Sequence, residues 1–292
     1  MPMSHTEYAV QIITDDTPIQ PSDRAFNYGD GVFTTLCIEN SQPQLLSFHI
    51  NRLIYDASAI GITLDETALE QAIVDFATKQ VPNNVSTQSK CTKQVLKVHV
   101  SAGIGGRGYA RDDENVPLVR FSFHPYPVHY AALAEQGMAL ICAETSLAIQ
   151  PLLAGVKHMN RLEQVLIKRE IKASGADDAI VCDTQDHVVE SSIGNVFFYA
   201  NSTWYTPSLK GSGVNGVVRQ CLIQALLNDN QALSVGEYEL SALAKAECVV
   251  VTNALMGVMP VNAITFPDAR IVRYKVDSEP QRELARHLRK YL

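Results

Sequence analysis

The segment Gly155–Arg161 contains a lysine, Lys157, that could support covalent chemistry. Lys157 lies in a mixed polar and apolar stretch that precedes a helix, not on an obvious solvated face. The amine of a partly desolvated lysine can form a Schiff base with a carbonyl compound. A surface lysine with no chemical role is the alternative, and residue 157 alone does not decide between the two.

A carboxylate, Glu190, lies within the apolar, strand-like run from Val188 to Tyr199. A buried carboxylate requires a cationic partner, because burial of an isolated charge is costly. The protonated ring nitrogen of pyridoxal phosphate is one such partner, and the electron-withdrawing chemistry of that cofactor depends on this proton. The alternative is a structural carboxylate at the rim of a sheet.

Three further features could bind an anion. Gly213–Arg219 opens a helix, whose unpaired N–H groups and dipole favour a phosphate. Thr252 ends an apolar strand and could add a hydroxyl, and Arg52 could add a bidentate charge. Each also has an ordinary structural interpretation, as a helix start, a strand end or a surface salt bridge.

The segment Gly103–Gly108 matches the pattern GxGxxG and follows a predicted strand. A dinucleotide site would need a helix that opens on the last glycine and an acidic residue about 20 positions later. A polar stretch that ends in a proline follows instead, so we reject a dinucleotide site. A mobile loop that presents Arg107 and Tyr109 is one interpretation, and a turn whose glycines only supply positive φ is the other.

Composition excludes several classes of protein. The 292 residues are 46% hydrophobic and 19% charged, which is typical of a globular protein. The net charge of −7 argues against nucleic acid as a partner, and no apolar run reaches the roughly 18 residues of a membrane span. Residues 1–10 are polar and lack the core of a signal peptide. The six cysteines form no CxxC pair and no metal-ligand pattern with histidine, which favours reduced thiols in the cytoplasm.

Hydrophobic periodicity predicts helices where apolar residues recur every three or four positions, and strands where short apolar runs end at turns. The predicted helices are Ser47–Ile60, Glu66–Lys79, Arg161–Lys172, Gly216–Leu227 and Glu279–Tyr291. The predicted strands are Tyr8–Thr14, Val32–Ile38, Gln44–Leu46, Val95–Val100, Leu118–Phe123, Met138–Ala143, Ala179–Cys182, Val188–Tyr199 and Glu247–Thr252. Hairpins mixed with helices favour an α+β protein.

The segment Phe123–Val128 contains two prolines and is the best candidate for a linker. We therefore predict a smaller α+β domain over residues 1–124, a linker over 125–130 and a larger domain over 131–292.

In this order, the motifs resemble those of the fold-type IV pyridoxal-phosphate enzymes, which include branched-chain and D-amino-acid aminotransferases and aminodeoxychorismate lyase. The similar segments extend from Asp23–Thr34 to Thr252–Met256, so the resemblance covers nearly the whole chain. It implies that the larger domain has a barrel-like sheet and binds pyridoxal 5'-phosphate. It also implies a homodimer that acts on a small-molecule substrate.

The resemblance implies roles for matching residues of this chain. Lys157 would form the Schiff base and carry the proton, and Glu190 would pair with the pyridine nitrogen. Four residues would bind the cofactor phosphate: Arg52, Val217 and Val218 through their backbone, and Thr252. Three residues would contact the substrate: Arg107, Tyr109 and Asn253. No metal is expected.

Within the family, four segments are most similar to aminodeoxychorismate lyase: Gly105–Tyr109, Leu153–Val165, Gly213–Arg219 and Thr252–Met256. The implied reaction converts 4-amino-4-deoxychorismate to 4-aminobenzoate and pyruvate, on the route to folate. Two arginines that are common in that lyase are replaced by Cys37 and Ala102, which leaves open what binds the substrate carboxylates.

An aminotransferase on the same scaffold is the alternative. It would keep Lys157, Glu190 and the phosphate-binding residues and differ only in its substrate pocket. Val95–Ser101 lacks the Arg-x-His pair found in D-amino-acid aminotransferases, which favours the lyase.

Overall fold

The computed structural model describes residues 11–13, 17–79, 93–112 and 115–292, which form two compact units. The first unit comprises the described residues up to Tyr126 together with Lys157–Asn160. The second comprises Pro127–Val156 and Arg161–Leu292. The short segment Lys157–Asn160 thus belongs to the first unit. The predicted division, with a single linker at residues 125–130, does not include this return of the chain.

The first unit is built on a five-stranded sheet flanked by helices. Its elements are β1 (Gln11–Ile13), α1 (Arg24–Tyr28), β2 (Gly31–Glu39), β3 (Gln42–Pro43), α2 (Leu46–Ala59), α3 (Glu66–Lys79), β4 (Lys93–Ser101) and β5 (Leu118–Pro125). The strand order is β1-β5-β4-β2-β3. The β1–β5 pair is parallel, and the other neighbouring pairs are antiparallel.

Helix α2 packs on β2 and contains one set of buried apolar residues and one set of buried polar residues. Its buried apolar residues Ile50, Leu53 and Ala57 follow helical spacing and contribute to the core. Its buried polar residues His49, Arg52 and Asp56 are three and four positions apart, so they also lie along one side of the helix. The periodicity that forms the helix therefore also aligns three polar side chains within the unit.

The second unit contains a larger, nine-stranded, curled sheet. Its elements are α4 (Tyr130–Gln136), β6 (Met138–Cys142), α5 (Leu162–Ser174), β7 (Asp178–Cys182), β8 (Val188–Ser191), β9 (Asn195–Ala200), β10 (Thr203–Pro207), α6 (Val217–Asn228), β11 (Leu233–Gly236), α7 (Leu240–Ala244), β12 (Cys248–Asn253), β13 (Gly257–Thr265), β14 (Ile271–Arg273) and α8 (Glu279–Arg289). The main strand order is β11-β10-β9-β12-β13-β6-β7-β8, and β14 pairs with β13.

The central strands of this sheet are almost continuously apolar. All five residues of Cys248–Thr252 in β12 are buried, and most of β9 is buried as well. Such runs are typical of strands covered on both faces. Together with the α+β composition of both units, this confirms the predicted fold class.

Most predicted elements are present, but three differ in detail. The predicted strand Gln44–Leu46 is wrong, because helix α2 already begins at Leu46. The predicted strand Val188–Tyr199 is two strands, β8 and β9, since Ser191 N–H and the carbonyl of Gly194 close a turn between them. The prediction of Tyr8–Thr14 is met over Gln11–Ile13, and its other residues lie outside the described chain.

The glycines of Gly103–Gly108 differ in how much space surrounds them. Gly103 has φ +96°, and a Cβ there would lie 2.2 Å from the carbonyl oxygen of Val116. Gly108 has φ +64°, and no described atom would lie within 4 Å of its Cβ. Gly103 is therefore required by conformation and by space, and Gly108 by conformation alone.

We predict that Gly108→Ala lowers the free energy of unfolding by about 1–2 kcal/mol, the cost of placing an L-residue in the left-handed region. Gly103→Ala should lose about 1–3 kcal/mol more, because its methyl group also displaces the backbone at Val116. Urea unfolding of both variants measures the difference. Equal losses of unfolding free energy in the two variants would show that the backbone at Val116 moves aside at no cost.

Candidate active site

The backbone of Lys157 is fixed by hydrogen bonds at both its N–H and its carbonyl. Its N–H donates to Oδ2 of Asp56 at 2.9 Å, and its carbonyl accepts from the N–H of Phe33 at 3.0 Å. A further backbone hydrogen bond joins the same segment to β2, from the N–H of Met159 to the carbonyl of Gly31 at 3.0 Å. The side chain of Lys157 is half-buried, and its Nζ lies 4.5 Å from the centre of the Phe33 ring. The amine is thus presented from a strand-like segment beside an aromatic face.

Arg52 is a buried guanidinium on α2 whose orientation is set by neighbouring polar groups. Its Nη2 donates to the hydroxyl of Thr34, and this hydroxyl is 2.6 Å from Nδ1 of His49. Burial, together with the charge of Arg52, holds the pKa of His49 well below its usual value. We therefore assign a neutral imidazole that accepts the Thr34 proton at Nδ1, which leaves the hydroxyl oxygen to accept from Arg52.

Glu190 is a buried carboxylate on β8, opposite Val181 of β7. Its Oε2 accepts the backbone N–H of Val214 at 2.8 Å. This approach requires Gly213, which has φ +86° and whose Cβ would lie 2.5 Å from a methyl group of Val189. The 213–214 segment therefore packs tightly over the strand and orients the carboxylate.

Arg219 belongs to the same electrostatic environment as Glu190. Burial lowers the pKa of Arg219 to about 10, while the charge of Glu190 acts to raise it. Arg219 donates to Oδ1 of Asn215 at 3.0 Å and to the carbonyl of Pro207 at 2.9 Å. The Glu190 carboxylate is thus placed in a region that also holds a buried cation.

Helix α6 begins at Val217, directly after the N-cap Gly216. Gly216 offers no side-chain cap, and the first N–H groups of a helix have no intrahelical acceptor. Asn195 fixes the entry by accepting from the N–H of Gly216 at 3.1 Å and donating to the carbonyl of Val214 at 2.8 Å. Val217 and Val218 are buried, and the N–H groups at the start of this helix could bind an anion, as the sequence predicts.

Thr252 and Asn253 lie at the end of β12. The Thr252 hydroxyl is buried and donates weakly to the carbonyl of Asn195 at 3.4 Å, so it must rotate to donate to a phosphate. The side chain of Asn253 accepts from the N–H groups of Leu255 and Met256, both at 2.9 Å. The structure therefore shows Asn253 as an organiser of its turn, and its predicted substrate contact stays a prediction.

Arg107 and Tyr109 are exposed residues of the loop that follows β4. Tyr109 is 90% exposed, and its ring edge lies against Tyr28 with centroids 5.6 Å apart. Residues 109–112 are not helical, so the glycine pattern here lacks the helix that a dinucleotide site needs.

Sequence reasoning missed several residues beside the predicted ones. Thr34 and His49 orient Arg52, Asp56 and Phe33 contact Lys157, and Lys97 places its Nζ 5.9 Å from the same Phe33 ring. The spacing of His49, Arg52 and Asp56 on a helix could have identified these polar residues from the sequence. The contacts of Phe33 could not be identified in this way, because they depend on the pairing of β2 with Lys157–Met159.

The predicted cofactor-binding residues are divided between the two units. Arg52 and Lys157 belong to the first unit, whereas Glu190, Thr252 and the start of α6 belong to the second. Over the described ranges, no group of three or more His, Cys, Asp and Glu side chains could hold a metal ion. The helices of the same ranges include none long and apolar enough to cross a membrane.

Comparison with known proteins places the chain in a family. Residues 31–264 match the amino-transferase class IV model, so the chain belongs to the amino-transferase class IV family. It is 35% identical to aminodeoxychorismate lyase of Vibrio harveyi over 255 residues, which cover 87% of this chain and 90% of that relative.

Two further relatives show the range of this similarity. The structure of 4-amino-4-deoxychorismate lyase from Pseudomonas aeruginosa is similar with a TM-score of 0.84 and 33% identity, and the match covers 94% of this chain and 96% of that one. A putative branched-chain-amino-acid aminotransferase of Methanocaldococcus jannaschii is 26% identical over 92% of this chain and 89% of its own length.

The buried, neutral His49 predicts a specific dependence of stability on pH. Because its pKa is depressed in the folded state, the unfolded state binds a proton that the folded state does not. The stability that the neutral His49 contributes is fully present above the pKa of histidine in the unfolded chain. It decreases as the pH falls below that value, about 6.5.

Between pH 7.5 and 5.5 the wild type should therefore lose about 1 kcal/mol of unfolding free energy more than His49→Asn. Asparagine is chosen because its Oδ1 can accept from Thr34 where Nδ1 does. Urea unfolding at both pH values measures the two slopes, and parallel slopes would contradict a neutral His49.

Proposed function

We propose that this protein is a pyridoxal 5'-phosphate-dependent lyase that converts 4-amino-4-deoxychorismate to 4-aminobenzoate and pyruvate. The observation that carries the proposal is the 35% identity, over 87% of the chain, to an aminodeoxychorismate lyase. The 33% identical lyase structure from Pseudomonas aeruginosa supports the same conclusion.

The described residues fit pyridoxal phosphate by the chemistry of their donors and acceptors. The first turn of α6 and the Arg52 guanidinium offer N–H donors for a phosphate. Glu190 is a buried carboxylate that can accept from a protonated pyridine nitrogen. Lys157 is a half-buried amine with its backbone fixed at two points. We propose Arg52, Val217, Val218, Thr252, Glu190 and Lys157 as the cofactor-binding residues.

The cofactor, when bound, supplies an electron-withdrawing ring that accepts the electron pair released at the carbon next to the substrate amine. Lys157 would hold the cofactor through Nζ, and the same amine, once free, would accept the proton from the carbon that bears the substrate amine. Glu190 would keep the pyridine nitrogen protonated. The bond between the ring and the enolpyruvyl oxygen would break, and the released enolpyruvate would take up one proton to become pyruvate. The remaining ring becomes aromatic, so the protein mainly has to orient the substrate and move this proton.

The substrate carries two carboxylates, which require cations. The two positions where related lyases often have arginine, Cys37 and Ala102, are buried here. Arg107 is exposed and can bind a carboxylate through two parallel hydrogen bonds. Lys97 approaches the same ring of Phe33 as Lys157 does, so we propose it as a second cation for the substrate. Tyr109 and Asn253 remain proposed secondary contacts.

A turnover assay with 4-amino-4-deoxychorismate tests the function. We expect release of 4-aminobenzoate with the cofactor absorbance of the aldehyde form retained. Lys157→Ala should lose turnover and the covalent label left by borohydride, and Glu190→Ala should bind cofactor but lose most turnover because the ring nitrogen loses its anionic partner. Bleaching to the amine form with alanine or branched-chain amino acids, without release of 4-aminobenzoate, would identify an aminotransferase instead.

We also propose that the protein is a homodimer, with helix α5 in the interface. Leu162, Val165 and Leu166 are exposed and lie on one side of α5, at spacings of three and four residues. A contiguous apolar face of this kind is typical of an interaction site, and two-fold pairing buries the same face on both copies.

Leu162→Glu should therefore shift the protein toward the monomer in sedimentation velocity. The matched control is Leu227→Glu, which changes an exposed leucine on α6 and should leave the sedimentation coefficient unchanged. A wild-type monomer at micromolar concentration would refute the proposal.

A further inference from the structure

Arg24 is a buried arginine that binds the backbone of a loop far along the chain. It is 2% exposed and lies on α1, whose N-cap Asp23 accepts from the N–H groups of Ala25 and Phe26. Its Nη1 donates to the carbonyls of Gly105, Gly108 and Ala110 at 3.2, 3.4 and 2.9 Å. Its Nη2 donates to the carbonyl of Tyr109 at 2.9 Å. One guanidinium thus gathers four carbonyl groups from residues 103–111, which we call the arginine-bound loop.

The other edge of this guanidinium meets Asp30. Arg24 Nε donates to Oδ2 of Asp30 at 2.7 Å, and Arg111 donates to both oxygens of the same carboxylate. Arg111 also donates from Nη1 to the carbonyl of Gly61 at 2.8 Å. A single carboxylate is therefore shared by two guanidinium groups, and Arg111 anchors the end of the arginine-bound loop.

The backbone of the loop is shaped to fit around Arg24. Gly106 has φ +80°, and a Cβ there would lie 2.7 Å from Arg24 Nη1 and 2.3 Å from the carbonyl oxygen of Ala110. Its N–H donates to Oδ2 of Asp112 at 2.7 Å. The glycines therefore let the loop close around the cation with its carbonyls inward.

Two side chains of this loop, Arg107 and Tyr109, are exposed. The Arg24 guanidinium lies 5.0 Å from the centre of the Tyr28 ring, and Tyr28 in turn contacts the ring of Tyr109. Arg107 occupies the turn between Gly106 and Gly108 and is exposed. Arg24 thus contacts the backbone of the loop, whereas the side chains proposed to meet the substrate are exposed.

We propose that Arg24 is a positioning residue that holds the arginine-bound loop in one conformation, so that Arg107 is pre-organised to bind a substrate carboxylate. The role of Arg107 rests on the proposed function, whereas the ordering of the loop by Arg24 does not. Pre-organisation lowers the cost of ordering the loop when the substrate binds.

Hydrogen exchange of the backbone amides tests the structural half of this proposal without substrate. Arg24→Lys keeps the positive charge beside Asp30, but one ammonium cannot reach four carbonyls and a carboxylate. The amides of Gly103, Gly105 and Gly106 donate hydrogen bonds to Ser101, Ser22 and Asp112. We expect these three amides to exchange at least about tenfold faster in this variant, with β4 unchanged.

The matched control for exchange is Arg120→Gln, which removes an arginine of the same unit that donates to the carbonyl of Thr17. It should leave exchange of the arginine-bound loop unchanged. If Arg24→Lys does not fold, Arg111→Gln removes the second contact to Asp30 and should speed exchange in the same loop. Unchanged exchange in the folded variants would overturn the ordering role.

Steady-state kinetics test the functional half. Arg107→Ala should lower kcat/KM for 4-amino-4-deoxychorismate about 10- to 150-fold, the effect of losing a charge-assisted hydrogen bond. Arg24→Lys should raise KM about tenfold with little change in kcat and an unchanged cofactor spectrum, since it weakens substrate binding without touching the reacting atoms. A role in stability alone would leave KM unchanged.

A double-mutant cycle connects the two arginines. If Arg24 acts through Arg107, Arg24→Lys should lower kcat/KM no more than about twofold in the Arg107→Ala background. Independent, multiplicative effects would refute the coupling. A wild type that orders its loop but does not turn over the substrate would refute the proposed function and the role of Arg107, while the exchange result would still decide the role of Arg24.

Discussion

The hydrogen bonds between the Lys157 segment and its neighbours are the constraint on which the rest of the candidate site depends. Lys157 follows a residue of the second unit in sequence, yet its carbonyl is bound by Phe33 of β2 and its N–H by Asp56 of α2. A lysine side chain has four methylene groups with freely rotating bonds. The backbone must therefore be fixed before the amine can occupy a defined position. The same pairing brings the ring of Phe33 against Nζ.

Charged groups inside the first unit are oriented by hydrogen bonds to groups close to them. Arg52 donates to Thr34, which is hydrogen-bonded to a neutral His49. Asp30 accepts hydrogen bonds from both Arg24 and Arg111. Burial acts to raise the pKa of Asp30, but the hydrogen bonds and charges of the two arginines outweigh burial and lower it. Such networks hold their members in fixed orientations because breaking one contact leaves a buried polar group without its partner.

Glycines have distinct functions at the places where the backbone comes close to a polar group. Gly213 allows the chain to pass over Val189 and offer the N–H of Val214 to Glu190. Gly106 allows the loop to close around Arg24. In both places the requirement is set by a neighbour distant in sequence, so a glycine pattern read by itself is ambiguous, as the GxGxxG of Gly103–Gly108 illustrates.

The sequence by itself determined the α+β class, most helices and the segments that carry Lys157, Glu190 and the start of α6. These follow from local periodicity and from the resemblance of long motifs, which need no knowledge of distant contacts. Only the tertiary structure decided that Lys157–Asn160 returns to the first unit, that Thr34 and His49 orient Arg52, and that Arg24 binds the loop of Arg107. Arg24 and Ala110 are 86 positions apart, and hydrogen-bond partners at such separations are chosen by the packing of the whole unit, which local sequence patterns do not encode.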